Sequence, residues 1–395
     1  MGHFRFLTAG ESHGVGLTMI VEGLPAGLPL SEADIAVDMG RRQGGYGRGG
    51  RMKMEADQAR VTSGVRHGRT LGSPIALWIE NQVHGKDGPD WPRLMALEAV
   101  EGPVERVTRL RPGHADLPGA IKYGFDDVRD VLERASARET AARVAVGGIA
   151  KRLLAEFGVT FGSHTVSIGG VVAGVIDEVD WAAVEADRVR CADPVASAAM
   201  IEAIDAAKHE GDTVGGEVEV RVAGLPMGLG SYVHWDRKLD GRIAQAICSI
   251  NAFKGVGFGG GLANVARRGS QVHDVILPRD QWASGRAWQH KTNNHGGIEG
   301  GISTGETLVV RCAVKPIPTL AHPLPSVDLD TGEEVAAHYE RSDVCVVPAA
   351  GVVAEAMVAI VLADAWLEKF GGDTLAEIRA NHDHYLTTIG PRALE

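Results

Sequence analysis

Residues 344–363 read VCVVPAAGVVAEAMVAIVLA and form the most apolar stretch of this 395-residue chain. Their length suits a membrane-spanning helix, but Pro348 lies near the start of the stretch and Glu355 near its middle. A carboxylate at the centre of a bilayer costs about 2.5–3.5 kcal/mol on insertion scales. We therefore predict a helix buried inside a protein core, and no membrane partner.

The segments on either side of this helix predict a mixed fold. Apolar runs indicate strands at residues 4–8, 17–22, 74–80, 159–168, 217–222 and 307–314. A capping box at Ser31 indicates the start of a helix. Helical periodicity indicates further helices at residues 140–157, 194–209, 236–253, 352–369 and 375–388. The strands do not alternate regularly with helices, which favours antiparallel pairing. The chain is 44% hydrophobic and has no repeat or clear boundary, so we predict one large α/β domain of the α+β type, residues 1–395.

The charge and cysteine content of the chain limit its function. A formal net charge of −11 and a pI near 5.8 disfavour a protein that coats nucleic acid, because such proteins carry a broad basic face. Small acidic metabolites need only local positive charge and remain candidates. The four cysteines are far apart and form no CxxC pair, which indicates neither a zinc site nor a disulfide framework. The N-terminal residues lack the apolar core of a signal peptide, and we expect a cytoplasmic protein.

Residues 41–51, RRQGGYGRGGR, place four arginines against the acidic balance of the chain. Arginine offers a planar fork of donors that matches phosphate or carboxylate, and glycine allows close approach of the backbone. An anion site is the first interpretation. A flexible linker and an RGG-like segment that binds single-stranded nucleic acid remain alternatives.

Two glycine motifs match known patterns only formally. Residues 10–14, GESHG, fit the GxSxG nucleophile elbow, but an α/β-hydrolase would place it after several strands. Serine hydrolysis at Ser12, proton transfer by His13 and a purely structural His13 are the three interpretations of this turn. Residues 255–260, GVGFGG, fit GxGxxG but follow a predicted helix, so we predict the end of that helix and a flexible glycine loop instead of a dinucleotide site.

The remaining histidines do not form a convincing metal site. His290 and His295 are five residues apart, and His382 and His384 alternate in a predicted helix that would direct them to different faces. We predict hydrogen-bonded or solvated histidines there and no metal.

Three further stretches carry residue types suited to a site. Residues 111–116, RPGHAD, hold His114 in a Pro-Gly turn beside a carboxylate, and residues 134–140, RASARET, place Ser136 between two arginines ahead of a helix. Residues 341–343, RSD, join a cation to a carboxylate before the apolar helix. The polar loop of residues 81–118 is too long for an idle connection. Each stretch alone could be structural, but together they suit anion binding and proton transfer.

Three segments, at residues 10–25, 133–148 and 341–355, resemble the three signatures of the chorismate synthase family. The resemblance also covers residues 111–116, 251–252, 296–301 and 315–319, and so spans almost the whole chain. It implies a lyase that converts 5-enolpyruvylshikimate 3-phosphate to chorismate and phosphate by anti-1,4-elimination, in the shikimate pathway of aromatic amino acid biosynthesis. It also implies reduced FMN as a cofactor without net redox change, a β-α-β sandwich and a homotetramer. Two routes to the reduced flavin stay open: the protein oxidises NADPH itself, or it receives FMN already reduced.

The resemblance also assigns roles to residues. It implies that His13 protonates the leaving phosphate with Ser12 as its neighbour, that His114 lies by the N1 side of the flavin, and that Asp343 acts with flavin N5 on the lost ring proton, supported by Ser136. For the phosphate we choose Arg42 and Arg48, which match family positions, and Arg138; we assign Arg41 and Arg51 only a supporting role. The flavin contacts are Arg134, Ser136, Ala137, Asn251, Ala252, Gly300, Lys315, Thr319 and Arg341.

Overall fold

The computed structural model describes residues 4–49, 57–85, 89–283, 287–340 and 342–390. Its strands are β1 (Arg5–Ala9), β2 (Gly16–Glu22), β3 (Ala26–Pro29), β4 (Arg60–Val61), β5 (Val65–Arg66), β6 (Arg69–Leu71), β7 (Ile75–Glu80), β8 (Thr160–Ile168), β9 (Val171–Val172), β10 (Gly216–Ala223), β11 (Phe253–Phe258), β12 (Ile298–Glu299), β13 (Ile302–Ser303), β14 (Leu308–Val314), β15 (Pro325–Val327) and β16 (Glu334–Ala336). Its helices are α1 (Glu32–Gln43), α2 (Trp91–Leu94), α3 (Asp116–Tyr123), α4 (Arg129–Leu132), α5 (Thr140–Ala155), α6 (Trp181–Ala186), α7 (Pro194–His209), α8 (Leu239–Cys248), α9 (Gly269–Val272), α10 (Val347–Phe370) and α11 (Leu375–Thr388).

Two antiparallel sheets form the outer layers of the fold. The first has the strand order β1-β2-β7-β4, and the second has the order β11-β14-β10-β8-β9. In β7 and β14 buried residues alternate with half-buried ones, because successive side chains point to opposite faces of a strand. Each of these sheets therefore directs one apolar face inward.

Helices fill the space between the two sheets. Helix α5 packs against β1 and β2 on one side and against α10 on the other, and α10 packs against β8 and β10. At the crossing of the two helices, a Cβ added to Gly147 would lie 2.3 Å from the Cβ of Ala356, so glycine permits their close approach. The layers form a sheet–helix–sheet sandwich, which confirms the predicted α+β fold.

Helix α10 contains the apolar stretch at residues 347–363 and is buried over almost its whole length. It is long and apolar enough to cross a membrane, but a helix that is apolar on all sides also suits the centre of a large core. Pro348 falls in the first turn, where its missing N–H costs nothing, and Gly371 ends the helix at a φ of 55°.

Most predicted elements are confirmed to within a few residues, including α7 and α11 at their predicted ends. The helix predicted at residues 236–253 is wrong in its last part, because α8 ends at Cys248. The flexible loop predicted after it is also wrong, because β11 pairs with β14 in the second sheet. Ala252 has a φ of 70°, which reverses the chain between the helix and the strand.

Candidate functional site

A cavity of about 1080 Å³ opens between the first signature segment and the loops that flank the second sheet. It brings together residues that are up to several hundred positions apart in sequence. The predicted site residues that line it are Ser12, His13, Arg42, Arg48, His114, Ser136, Ala137, Asn251, Ala252, Lys315, Thr319 and Asp343.

His13 lies in the turn between β1 and β2 and is held from two sides. Both carboxylate oxygens of Glu133 lie 3.0 Å from its Nδ1, and its backbone N–H donates to Glu133 Oε2 at 2.8 Å. The ring of Trp91 stacks on the imidazole with the centroids 3.8 Å apart and the planes within 4°. Neither partner had been predicted as a site residue. Glu133 precedes the RASARET stretch directly and Trp91 lies in the long polar loop, but their roles depend on contacts between distant segments.

Ser12 and Ser136 form a pair beside this histidine. The Ser136 hydroxyl donates to Ser12 Oγ at 3.2 Å, and its oxygen accepts the backbone N–H of Arg138 at 3.3 Å. The contacts described for Ser136 thus connect it to the His13 side of the cavity and to the helical turn that begins at Ala137.

His114 is held by a carboxylate, as the RPGHAD stretch indicates. Its Nδ1 lies 2.5 Å from Asp116 Oδ1, and Arg111 contacts both oxygens of the same carboxylate at 2.9 and 3.1 Å. Burial alone would raise the pKa of Asp116, but hydrogen bonds from His114 and Arg111 lower it to about 2. Asp116 is therefore anionic near neutral pH. It accepts a hydrogen bond from the protonated Nδ1 of His114.

Arg42 and Arg48 form a positively charged wall of the cavity. Arg42 is buried, and its guanidinium donates to Thr140 Oγ1, Asp57 and the Ala137 carbonyl at 3.1–3.3 Å. Burial lowers the pKa of Arg42 to about 10; Asp57 opposes the shift, and the positive charge of Arg48 adds to it. Such mutual repulsion between guanidinium groups would be relieved by a bound anion.

The glycines of the Arg/Gly stretch pack against the protein. Val344 N–H donates to the Gly47 carbonyl at 2.9 Å, and Gly49 N–H donates to Asp343 Oδ1 at 2.6 Å. A Cβ on Gly47 would lie 2.9 Å from the Cβ of Cys345. The glycines were expected to let the backbone approach a ligand; in the structure they admit the protein segment at residues 343–345, which brings Asp343 within 2.9 Å of Arg48 Nε.

Arg41 belongs to a different environment from Arg42. Its guanidinium makes a double contact with the fully buried Glu355 at 2.8 Å and also contacts Asp38 and Glu185. Lys151 contacts Glu355 as well, at 2.5 Å. These ion pairs anchor the start of the Arg/Gly stretch to α10, which argues against a flexible linker or an extended RGG segment here. Arg51 lies outside the described residues.

The cavity does not include every predicted site residue. Arg138 is buried behind the wall, where it contacts Asp57 and donates to Asn81 Oδ1 at 3.0 and 3.1 Å. Arg134 donates to the carbonyls of Thr8 in β1 and of Gly10 in the turn after it. Gly300 lies in the turn between β12 and β13, away from the cavity lining, and Arg341 lies outside the described residues.

The predicted flavin contacts that line the cavity form a connected strip. Asn251 Nδ2 donates to the Ala135 carbonyl at 2.8 Å, and Lys315 N–H donates to the Ala252 carbonyl at 2.9 Å. Lys315 Nζ then reaches the Gly113 carbonyl at 2.7 Å, next to His114. Burial and the charge of Lys254 lower the pKa of Lys315.

The alternative motifs take other forms in the structure. Ser12 lies between β1 and β2, and residues 255–258 belong to β11; the sheets of these strands are antiparallel, unlike the parallel sheets of α/β-hydrolases and dinucleotide-binding folds. His382 is buried and His384 exposed, so the two histidines lie on different faces of α11, as predicted.

A cluster of one histidine and two carboxylates lies outside the cavity. Donor atoms of Asp274, His295 and Glu299 lie within 4.8 Å of one another. Asp274 accepts hydrogen bonds from Thr292, Asn294 and the backbone of His295, so its carboxylate already organises the loop.

Basic side chains outnumber acidic ones around the cavity, although the whole chain is acidic. The basic lining residues are Arg42, Arg48, Arg106, Arg109, Arg111, Arg129, Lys254 and Lys315, and the acidic ones are Glu105, Glu340 and Asp343. Together with two histidines that carboxylates hold in place, this lining defines an enzyme site for small anionic molecules that undergo proton transfer.

Comparisons with known proteins identify the family. The chorismate synthase family profile matches residues 4–367. Chorismate synthases of Moorella thermoacetica and Symbiobacterium thermophilum are 56% and 55% identical to the chain, each covering 98% of it and 100% of the relative. A crystal structure of chorismate synthase superimposes with a TM-score of 0.78 at 43% identity, covering 98% of both chains. The chain belongs to the chorismate synthase family.

Proposed function

We propose that the protein converts 5-enolpyruvylshikimate 3-phosphate to chorismate and phosphate by anti-1,4-elimination, as a carbon–oxygen lyase acting on phosphates in the shikimate pathway. The observation that carries this proposal is that one cavity combines a basic wall with two histidines, each held by a carboxylate. In the elimination, a ring proton and the phosphate leave different carbons, so the reaction needs both cations and proton-transfer groups.

The cofactor in this proposal is reduced FMN. The cavity is at the upper end of the usual range for small-molecule sites, which suits a flavin and a substrate together. Its strip from Ser136 through Asn251 and Ala252 to Lys315 and Thr319 offers backbone, amide, hydroxyl and ammonium groups to the ring and phosphate of the flavin. When bound, reduced FMN supplies an electron-rich ring that assists phosphate departure and proton loss without net redox change.

On the phosphate side, Arg42 and Arg48 stabilise the charge that grows on the leaving group. His13 donates its Nε2 proton to a phosphate oxygen as the carbon–oxygen bond breaks. Ser12 and Ser136, joined by their hydrogen bond, support this side of the cavity. Arg138 acts indirectly, since it is bound to Asp57 and Asn81 behind the wall.

His114 would contact the bound flavin, and Asp343, which lies beside Arg48, would assist removal of the ring proton. The contacts of Asp343 with Arg48 and with Gly49 N–H hold its carboxylate in one position. The carboxylate of Asp116 holds the imidazole of His114. Arg134, Gly300 and Arg341, also proposed as flavin contacts, stay assigned by the family resemblance alone.

Family resemblance also supports a cytoplasmic homotetramer built from single-domain chains. In agreement with one domain, a continuous cluster of buried apolar side chains extends from Phe4 to Ile378. The proposal includes no nucleic-acid or membrane partner.

The decisive experiment is an anaerobic assay of the purified protein with 5-enolpyruvylshikimate 3-phosphate and reduced FMN. We expect equal amounts of chorismate and phosphate, and none when the flavin is omitted or oxidised. Failure to form chorismate with the complete mixture would contradict the proposal.

The source of the reduced flavin is tested separately. Oxidation of NADPH by the pure protein in the presence of FMN would identify a bifunctional enzyme. A stable NADPH absorbance, with full activity on chemically reduced FMN, would identify one that receives its flavin reduced.

A further inference from the structure

Glu133 is a buried carboxylate to which the proposed reaction steps give no role of its own. It follows α4 directly, and only 1% of its side-chain surface is exposed. Two of its groups contact the His13 turn: its carbonyl accepts Ser12 N–H at 3.0 Å, and its carboxylate accepts His13 N–H at 2.8 Å. Glu133 thus attaches the turn that carries the acid to the end of α4 through both its backbone and its side chain.

The same carboxylate determines which nitrogen of His13 carries a proton. A carboxylate can only accept hydrogen bonds, so Nδ1, with both oxygens at 3.0 Å, must be the N–H side of the ring. The proton available for transfer is then on Nε2. A second carboxylate–imidazole pair, Asp116 with His114, repeats this arrangement across the cavity.

Trp91 fixes the remaining freedom of the ring. Its indole lies parallel to the imidazole at 3.8 Å, and the Arg129 guanidinium lies 5.5 Å from the indole centroid and 3.6 Å from Glu133. Stacking on Trp91 therefore fixes the plane of the imidazole. The hydrogen bond to Glu133 prevents the ring from rotating within that plane. Such fixed geometry matters because general acids act only within hydrogen-bond reach of the accepting atom.

We infer that Glu133 is a positioning residue for the acid His13: it holds the imidazole by Nδ1, directs Nε2 to the leaving phosphate and balances the charge of the imidazolium. This inference rests on the proposed function. During phosphate departure the Nε2 proton passes to the phosphate oxygen that receives the electron pair of the broken carbon–oxygen bond. The imidazole becomes neutral and keeps its Nδ1 proton on Glu133.

The test compares Glu133→Gln with the wild type in the anaerobic chorismate assay. The amide keeps the size of the side chain but carries no charge. We expect kcat to fall about 10- to 100-fold, with KM changed less than about threefold, because second contacts of this kind orient a reacting group without touching substrate.

The pH profile separates a positioning role from a merely structural one. The charged and titratable groups around His13 are Glu133, Arg129 beyond the indole, Glu340 across the cavity and His84, whose ring contacts the His13 carbonyl at 2.8 Å. Without the negative charge of Glu133, the positive charge of Arg129 is no longer balanced. The positively charged form of the imidazole is then less favoured. We expect the alkaline limb of kcat to move to lower pH.

Two further variants complete the design. Glu133→Ala should recover activity with added formate, which can occupy the vacated carboxylate site, whereas His13→Ala should not. Glu219→Gln is the matched control, because Glu219 is equally buried and contacts His164 at 3.3 Å outside the cavity. It should keep the wild-type kcat and pH profile when assayed below its melting temperature.

The inference is overturned if Glu133→Gln keeps the wild-type kcat and alkaline limb, or if formate fails to restore a folded Glu133→Ala protein. An inactive wild type in the same assay would instead contradict the proposed function.

Discussion

Arginines that look alike in the sequence differ by their partners in the structure. Arg41 contacts three carboxylates, including the buried Glu355, and is neutralised within the core. Arg42 shares Asp57 with Arg138, so two guanidinium groups face one carboxylate. Excess positive charge therefore remains at Arg42 and not at Arg41. Spacing along the Arg/Gly stretch predicts an anion site, but it cannot separate these two neighbours, because their partners are far away in the sequence.

Arg48→Lys tests the proposed phosphate wall at the level of one residue. An ammonium cannot reproduce the two-pronged contact of a guanidinium, and it would also loosen the 2.9 Å contact with Asp343. We expect kcat/KM to fall about tenfold or more in the anaerobic assay. Arg5→Lys, at an exposed ion pair with Glu22, is the control and should leave the rate unchanged. Equal rates for both variants would exclude direct phosphate contact by Arg48.

His13→Ala and His114→Ala test the two proton-transfer positions. Each imidazole is held by a carboxylate, and each variant should lower turnover about 10²- to 10⁴-fold, the usual effect of losing a positioned acid or base. His384→Ala, at an exposed position on α11, should keep the wild-type rate. A near-normal rate in either site variant would remove that histidine from the mechanism.

At the scale of elements, local patterns predict most helices and strands, and long-range pairing decides the rest. The capping box at Ser31 and the periodicity of α7 and α11 are local signals, and the structure follows them. Strand β11 has no such signal, because glycine is depleted in strands. It forms because β14 offers a partner edge, which cannot be recognised from residues 253–258 alone.

The crossing of α5 and α10 gives a stability prediction at this scale. Gly147→Ala would place a methyl group 2.3 Å from the Cβ of Ala356, so the helices must separate and the core beneath the site is strained. We expect a loss of about 1–3 kcal/mol in the free energy of unfolding.

Gly40→Ala in α1 is the matched control for this change. A Cβ at Gly40 meets no atom within 4 Å, so the higher helix propensity of alanine should raise stability by about 0.5–1 kcal/mol. Urea unfolding of both variants measures the difference, and equal effects would refute the close-packing argument.

At the scale of the whole molecule, the site is a product of tertiary assembly. Residue types that suit anion binding and proton transfer could be recognised in separate stretches of the sequence. The family resemblance then assigned these stretches to one site. The partners that define their roles could not be recognised in the same way: Glu133 and Trp91 meet His13 only because α4 and the loop at residues 81–118 fold over the first sheet. Sequence therefore predicted which residues line the cavity better than the contacts that hold them in place.

The proposed homotetramer gives a direct measurement. Several large apolar side chains are strongly exposed in the isolated chain, among them Trp235, Leu262 and Val265. Exposed apolar residues of this kind are typical of surfaces covered by other subunits. We expect light scattering to give four times the chain mass of 41.7 kDa. A monomeric mass at micromolar concentration would contradict the tetramer.

Carboxylates held by ion pairs predict how the molecule responds to acid. Burial would raise the pKa values of Asp116, Glu185 and Glu219, but hydrogen bonds and charges of neighbouring histidine and arginine side chains lower each to about 2. The ordinary pKa is 3.8 for an aspartate and 4.5 for a glutamate. Between these values and about pH 2, the unfolded chain therefore binds more protons than the native protein. The stability that these groups contribute is complete above about pH 5 and is lost as the pH falls through this window.

We expect the urea midpoint to drop steeply from pH 4.5 to 2.5, and to drop less in Glu219→Gln, which starts from a lower stability at pH 7. A midpoint that is constant across this range would show that the carboxylates are not held by ion pairs in solution.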